Sequence, residues 1–188
     1  MTNSAVLTKT KLSIKKQTLA ALLAIVAAVA VPQIFHVIGR ISGLGTALGE
    51  TFLPMHLPIL IVGLIAGPYA GAIAGLFGPL VSFALTGMPG SMMLPFMMIE
   101  LCSYGLFSGL LCNVKIPCIL KVLISQVGGR LVRAVAILIS VYALGNDNLS
   151  VAVIWNSILT GLFGIVLQLS LIPLIMYCIN NTNIKNTK

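Results

Sequence analysis

The chain is poor in charge. Only 7% of its 188 residues are Asp, Glu, Lys or Arg, and just three are acidic. A soluble domain carries about 25% charged residues. With 59% hydrophobic residues and a mean hydropathy of +1.11, the sequence has too little polar surface to cover itself in water. This excludes an ordinary soluble domain and predicts an all-α polytopic membrane protein, one domain over 1–188.

Catalytic signatures are also missing. There is no GxxxxGK[ST] phosphate loop, so ATP hydrolysis by that route is excluded. There is no HExxH, no GxSxG and no pair of acids suited to general acid–base work. Nothing marks the chain as an enzyme. The four cysteines, Cys102, Cys112, Cys118 and Cys178, show no CxxC spacing and no partnering His cluster. They read as small apolar membrane residues, with no metal or cofactor implied. No inverted repeat suggests a self-contained secondary transporter.

What charge there is has a pattern. The net charge of +8 comes mostly from lysines beside apolar runs. Lys9, Lys11, Lys15 and Lys16 lie in a basic N-terminal segment, 1–16. Lys115 and Lys121 flank a mid-chain break, and Lys185 and Lys188 close a polar tail, 180–188. Such placement sets membrane topology rather than a nucleic-acid surface. The first apolar run is long and lacks a clear cleavage site, so it reads as a retained span.

Six spans are expected, over about 17–39, 55–67, 69–87, 92–112, 119–144 and 151–179. The second is too short to cross straight, so it borrows loop residues or is partly re-entrant. Residues 40–54, "MPGSMMLP" and "GNDNLS" then join spans on one side of the membrane, and "NVKIPCILK" on the other. The side with both termini holds eight lysines; the other holds only Arg40. The positive-inside rule therefore makes both termini cytoplasmic and turns Arg40, Glu50 and Asp147 outward.

Three charges fall within spans: Glu100, Arg130 and Arg133. At 1.5 Å rise per residue, Glu100 enters from outside to about 12 Å and Arg133 from inside to about 18 Å. In a core of about 30 Å they meet at similar depth. Arg130, three residues from Arg133, shares its helix face. A Glu100–Arg133 pair would leave one guanidinium over. Two arginines and one glutamate sum to +1, so a bound monoanion, best a carboxylate, would complete the set. Water or backbone carbonyls would serve as well. Tyr104, one turn from Glu100, and Trp155 and Asn156 near the start of the last span are candidates to finish a pocket. The lone Trp also fits a membrane-surface anchor. His36 and His56 read as satisfied polar residues rather than metal ligands. Met88, Met92, Met93, Met97 and Met98 supply adaptable apolar surface, for a lid or for packing.

Small residues recur every four positions at Ala20, Ala24 and Ala28, and at Gly63, Gly67, Gly71 and Gly75. Such stripes let helices approach closely. The glycine stripe reads as packing within the bundle, and the alanine stripe equally as a surface for another membrane protein.

The basic segment before "ALLAIVAAVA", the succession "MHLPILIVGLIAGPYAG…GMPG" and "MMIELCSYGLFSGLL" resemble the substrate-binding (S) components of energy-coupling factor (ECF) vitamin transporters. The niacin type is the nearest resemblance. It implies a six-helix subunit of the bacterial cytoplasmic membrane that captures a vitamin from outside. It implies docking through Ala20, Ala24 and Ala28 on a transmembrane T component coupled to two ATPases. The ligand site would lie in the outer halves of the last three spans, where Glu100, Tyr104, Trp155 and Asn156 fall, with Arg130 and Arg133 extending it inward. Nicotinate fits as one carboxylate on a flat ring, the ring stacking on Tyr104 or Trp155. Pantothenate is the alternative acid, and hydroxymethylpyrimidine or pyridoxine fit if the arginines are only structural. Outside this class the alternative is a membrane scaffold subunit that binds nothing small.

Overall fold

A computed structural model describes residues 12–45, 47–146 and 149–185. Lys9, Lys11, Asp147 and Lys188 lie outside the described residues. The elements are α1 (Ile14–Ile41), α2 (Ala47–Phe52), α3 (His56–Ala66), α4 (Pro68–Thr86), α5 (Leu94–Leu110), α6 (Cys118–Tyr142), α7 (Ala152–Thr160) and α8 (Leu162–Lys185). No strand occurs among the described residues.

Local chemistry sets the breaks. Gly67 has φ 100°, a conformation glycine adopts without a Cβ penalty, and Pro68 then opens α4 at a position that needs no N–H donor. This Gly-Pro step turns α3 directly into α4. At its other end α4 stops at Gly87, φ 73°, whose N–H donates to the Phe83 carbonyl at 2.8 Å. α6 begins just after Pro117.

The centre of the bundle is α3, α4 and α5, with α1 on α3 and α4, α6 on α5, and α8 on α6. Glycines set how closely α4 meets α5. A Cβ on Gly71 would land on the Gly105 carbonyl, one on Gly75 on the Leu101 carbonyl, and one on Gly109 on the backbone of Pro68. Ile59, Leu60, Ala70, Ala74, Leu101 and Tyr104 fill the core around that seam. Outside, Leu22, Val26, Leu131, Val135, Phe163 and Val166 are each more than half exposed. A surface this apolar is solvated by lipid, not water.

Among the described residues, four helices are long and apolar enough to cross a membrane: α1, α4, α6 and the part of α8 from Leu162 to Ile179. α3, with 11 residues, and α5, with 17, fall short of the roughly 20 a straight crossing needs. The expected sixth span, continuous over 151–179, is broken at Gly161, where a Cβ would crowd the ends of the Leu53 and Arg130 side chains at 2.9 and 3.0 Å. The expected loop at 40–54 contains α2. Lys15 and Lys16, assigned to an N-terminal tail, stand exposed on the first turn of α1. The Ala20–Ala24–Ala28 stripe does not form a free surface. Ala24 and Ala28 are buried and Ala20 half-buried, and the Ala28 methyl lies where a Cβ on Gly78 of α4 would meet it. Small side chains bring α1 down onto α4, and they are consumed in doing so.

Candidate functional site

The segment "SQVGGRLVR" of α6 explains how two arginines come to lie against α5. A Cβ on Gly128 would strike the Phe107 ring, and one on Gly129 the Tyr104 ring. The paired glycines therefore let α6 settle onto α5, and Arg130 and Arg133 follow one turn apart on the same face.

The expected ion pair forms. Arg133 Nη1 donates to Glu100 Oε2 at 2.8 Å, with the Glu100 side chain only 2% exposed. The Tyr104 hydroxyl donates to Glu100 Oε1 at 3.0 Å, and Arg130 Nε donates to the Tyr104 hydroxyl oxygen at 3.1 Å. One carboxylate, one phenol and two guanidiniums thus form a continuous chain. Both Glu100 oxygens are used, yet Arg130 Nη1 and Arg133 Nε are buried with no partner. Glycine at 161 makes room for Arg130 Nη2 beside α7.

These groups belong to the wall of a cavity of about 380 Å³. Pro32 and His36 of α1 contribute to it, as do Leu53, Pro54, Met55 and His56 where α2 leads into α3. The α4–α5 loop supplies Met88, Pro89, Gly90 and Met93, followed by Met97 of α5. Val153, Asn156, Ser157 and Thr160 of α7 complete the rim, with Ser82 of α4, Glu100, Arg130 and Arg133 as the polar patch. A volume in this range with few polar groups in a mostly apolar wall suits a small molecule.

A second hydrogen-bond chain holds one side of the rim. Gln126 Nε2 donates to Gln168 Oε1 at 2.7 Å, and Gln168 Nε2 donates to the Leu53 carbonyl at 3.2 Å. Leu53 has φ 49°, an uncommon value for a non-glycine residue. Its carbonyl also accepts the His56 backbone N–H at 3.1 Å. The strained residue is thereby tied to α8 and α3.

The sequence-predicted residues divide. Glu100, Arg130, Arg133 and Asn156 are in the cavity wall. Tyr104 is 1% exposed and stands behind Glu100 and Arg130, outside the wall. Trp155 is 67% exposed and also outside it, because on α7 the face that carries Asn156 toward the cavity turns the neighbouring residue away. Neither aromatic ring is placed to stack on a ligand. Met88, Met93 and Met97 line the cavity, whereas Met92 is exposed. Sequence reasoning passed over His56. It is 2% exposed, lies against the Tyr104 ring at 5.3 Å between centroids, and has a buried Nδ1 with no partner, contrary to its reading as a satisfied residue. The available signal was its place: it is a polar residue opening the short apolar helix α3, as Glu100 is an acid in the second turn of α5.

A family model described as ECF transporter, substrate-specific component, matches residues 15–176. No curated protein and no solved structure matches the chain.

Proposed function

The chain belongs to the family of ECF transporter substrate-specific components, and on that premise we propose that its cavity captures a small carboxylate-bearing vitamin, with nicotinate as the leading candidate and pantothenate as the alternative. Members of this family are transport subunits rather than enzymes, and their role implies docking on a transmembrane and ATPase module. The chain is accordingly an integral membrane protein.

One observation carries the choice of an acid. After Glu100 is fully paired, Arg130 Nη1 and Arg133 Nε still have no acceptor, and both side chains line the cavity. Two guanidiniums against one carboxylate leave a charge of +1. A buried N–H without an acceptor is costly, and a carboxylate matches a guanidinium better than any neutral acceptor does. Carboxylate binding would complete both arginines at once.

The proposed topology has α3 and α5 as short crossings, six in all, with both termini cytoplasmic. It rests on the lysine distribution, and it puts the cavity rim, built from the α1–α3 connection, the α4–α5 loop and α7, on the outer side. The proposed contact with the transmembrane partner remains α1. Ala24 and Ala28 are packed inward, so the half-buried Ala20 and the exposed Leu19, Leu22, Leu23 and Val26 are what α1 offers.

Calorimetric titration of the purified chain in detergent with nicotinate, nicotinamide and pantothenate tests the reading. Nicotinate is expected to bind at least a hundredfold tighter than nicotinamide, which lacks the charge. Pantothenate binding in its place would keep the acid and change the vitamin. Binding of nicotinamide with no binding of either acid would make the arginines purely structural and defeat the proposal.

A further inference from the structure

We infer that His56 is a second recognition group of this cavity, so that the captured acid carries another hydrogen-bonding atom, such as a ring nitrogen or a hydroxyl, besides its carboxylate. The inference rests on the acid-binding reading above and narrows the substrate class within it.

His56 is the first residue of α3 and lines the same cavity as Arg130 and Arg133. It is almost fully buried, and its Nδ1 has no hydrogen-bond partner. The Leu53 carbonyl lies near the imidazole without meeting hydrogen-bond geometry, and the neighbouring protein groups have other partners. The Leu53 carbonyl has two lone pairs, and it accepts the His56 backbone N–H and the Gln168 side-chain amide. The Tyr104 hydroxyl gives its proton to Glu100 and receives Arg130 Nε. Glu100 uses one oxygen for Tyr104 and the other for Arg133. Tyr104 packs against the imidazole at 55° between ring planes, which holds the ring in the wall.

Buried polar atoms in folded proteins nearly always have a partner, and an exception asks for an explanation. Here the exception sits near two others, Arg130 Nη1 and Arg133 Nε, on three residues that line one void. A ligand that satisfies only the arginines would leave the imidazole unpaired. A neutral imidazole offers one donor and one acceptor, and a half-turn of the ring exchanges Nδ1 with a carbon position. It can therefore donate to a pyridine-type nitrogen or accept from a hydroxyl. A plain hydrocarbon acid satisfies neither.

Nicotinate and benzoate share a carboxylate and a six-membered ring, and only nicotinate has a ring nitrogen. Calorimetry on the full-length chain is expected to show nicotinate binding at least tenfold tighter than benzoate, the size of a lost buried hydrogen bond. His56→Phe, which keeps a ring of similar shape, is expected to bring that ratio below about threefold. His56→Asn, which keeps a polar group near the Nδ1 position, is expected to preserve it and guards against a folding defect in the phenylalanine variant. If pantothenate is the acid that binds, its affinity should fall at least tenfold in His56→Phe and far less in His56→Asn. Equal binding of nicotinate and benzoate by the unaltered chain, or a ratio unchanged in His56→Phe, overturns the inference and leaves acid capture standing. Failure of all three acids to bind overturns both.

Discussion

The α4–α5 seam and the cavity handle polar groups in opposite ways. In the seam, Gly71, Gly75, Gly105 and Gly109 bring two backbones together, and Ser108 of α5 donates its hydroxyl to the Gly105 carbonyl at 3.2 Å. Among the described residues, no buried side-chain atom of α4 or α5 lacks a partner. Around the cavity, three buried nitrogens, on His56, Arg130 and Arg133, have none, although Glu100 and Tyr104 beside them are fully bonded. The seam is complete as a piece of packing, whereas the residues around the cavity keep hydrogen-bonding capacity that the chain itself does not use. On the proposed reading, the difference separates residues that hold the bundle from residues that would hold a ligand, and Arg133, which pairs with Glu100 and lines the cavity, belongs to both.

The largest effect is expected where the two roles meet. Arg133→Leu strands the Glu100 carboxylate, and breaking a buried pair from one side costs about 3–5 kcal/mol. Thermal unfolding in detergent should fall by about 10 °C or more, and the double change with Glu100→Leu should recover much of it. An Arg133→Leu protein as stable as the original would mean that the pair holds nothing together.

Next comes the seam itself. Gly105→Ala forces a methyl onto the Gly71 backbone and should cost about 1–3 kcal/mol, with the affinity of the protein that still folds unchanged. If affinity fell while stability held, the seam and the cavity would not be separable. Gln168→Leu removes the bonds to Gln126 and to the Leu53 carbonyl, and should cost about 1–2 kcal/mol while speeding ligand release severalfold. Stopped-flow dissociation reads this. An unchanged off-rate would show that the rim does not depend on the Gln126–Gln168 chain. The smallest effect is expected at Trp155, whose exposed ring lies outside the cavity wall. Trp155→Phe should leave affinity within about twofold, and a tenfold loss would put that ring back in the site.

The elements were legible where hydropathy, glycine and proline govern them. The ends of α1, α4 and α6, and the Gly67–Pro68 turn, follow from the sequence because each depends on local chemistry. The Glu100–Arg133 pair was also legible, since charges in an apolar span are few and their depth is set by helix rise. Orientation about each helix axis was not. In a bilayer both faces of a helix are apolar, so no amphipathic stripe tells the inside from the outside. That is why the alanines of α1 turned inward, why Trp155 turned away from the cavity, and why the break at Gly161 went unseen until Arg130 and Leu53 were found against it.

By itself the sequence determined that this protein is helical, belongs in lipid, and brings two arginines to the depth of one glutamate, because composition and charge depth do not depend on how the helices are rotated. Only the tertiary structure decided which side-chain atoms remain unpaired, that His56 Nδ1 is among them, and that His56, Arg130 and Arg133 line one cavity. Pairing is a matter of distances between helices, and those distances are set by the glycines and alanines that let the helices meet.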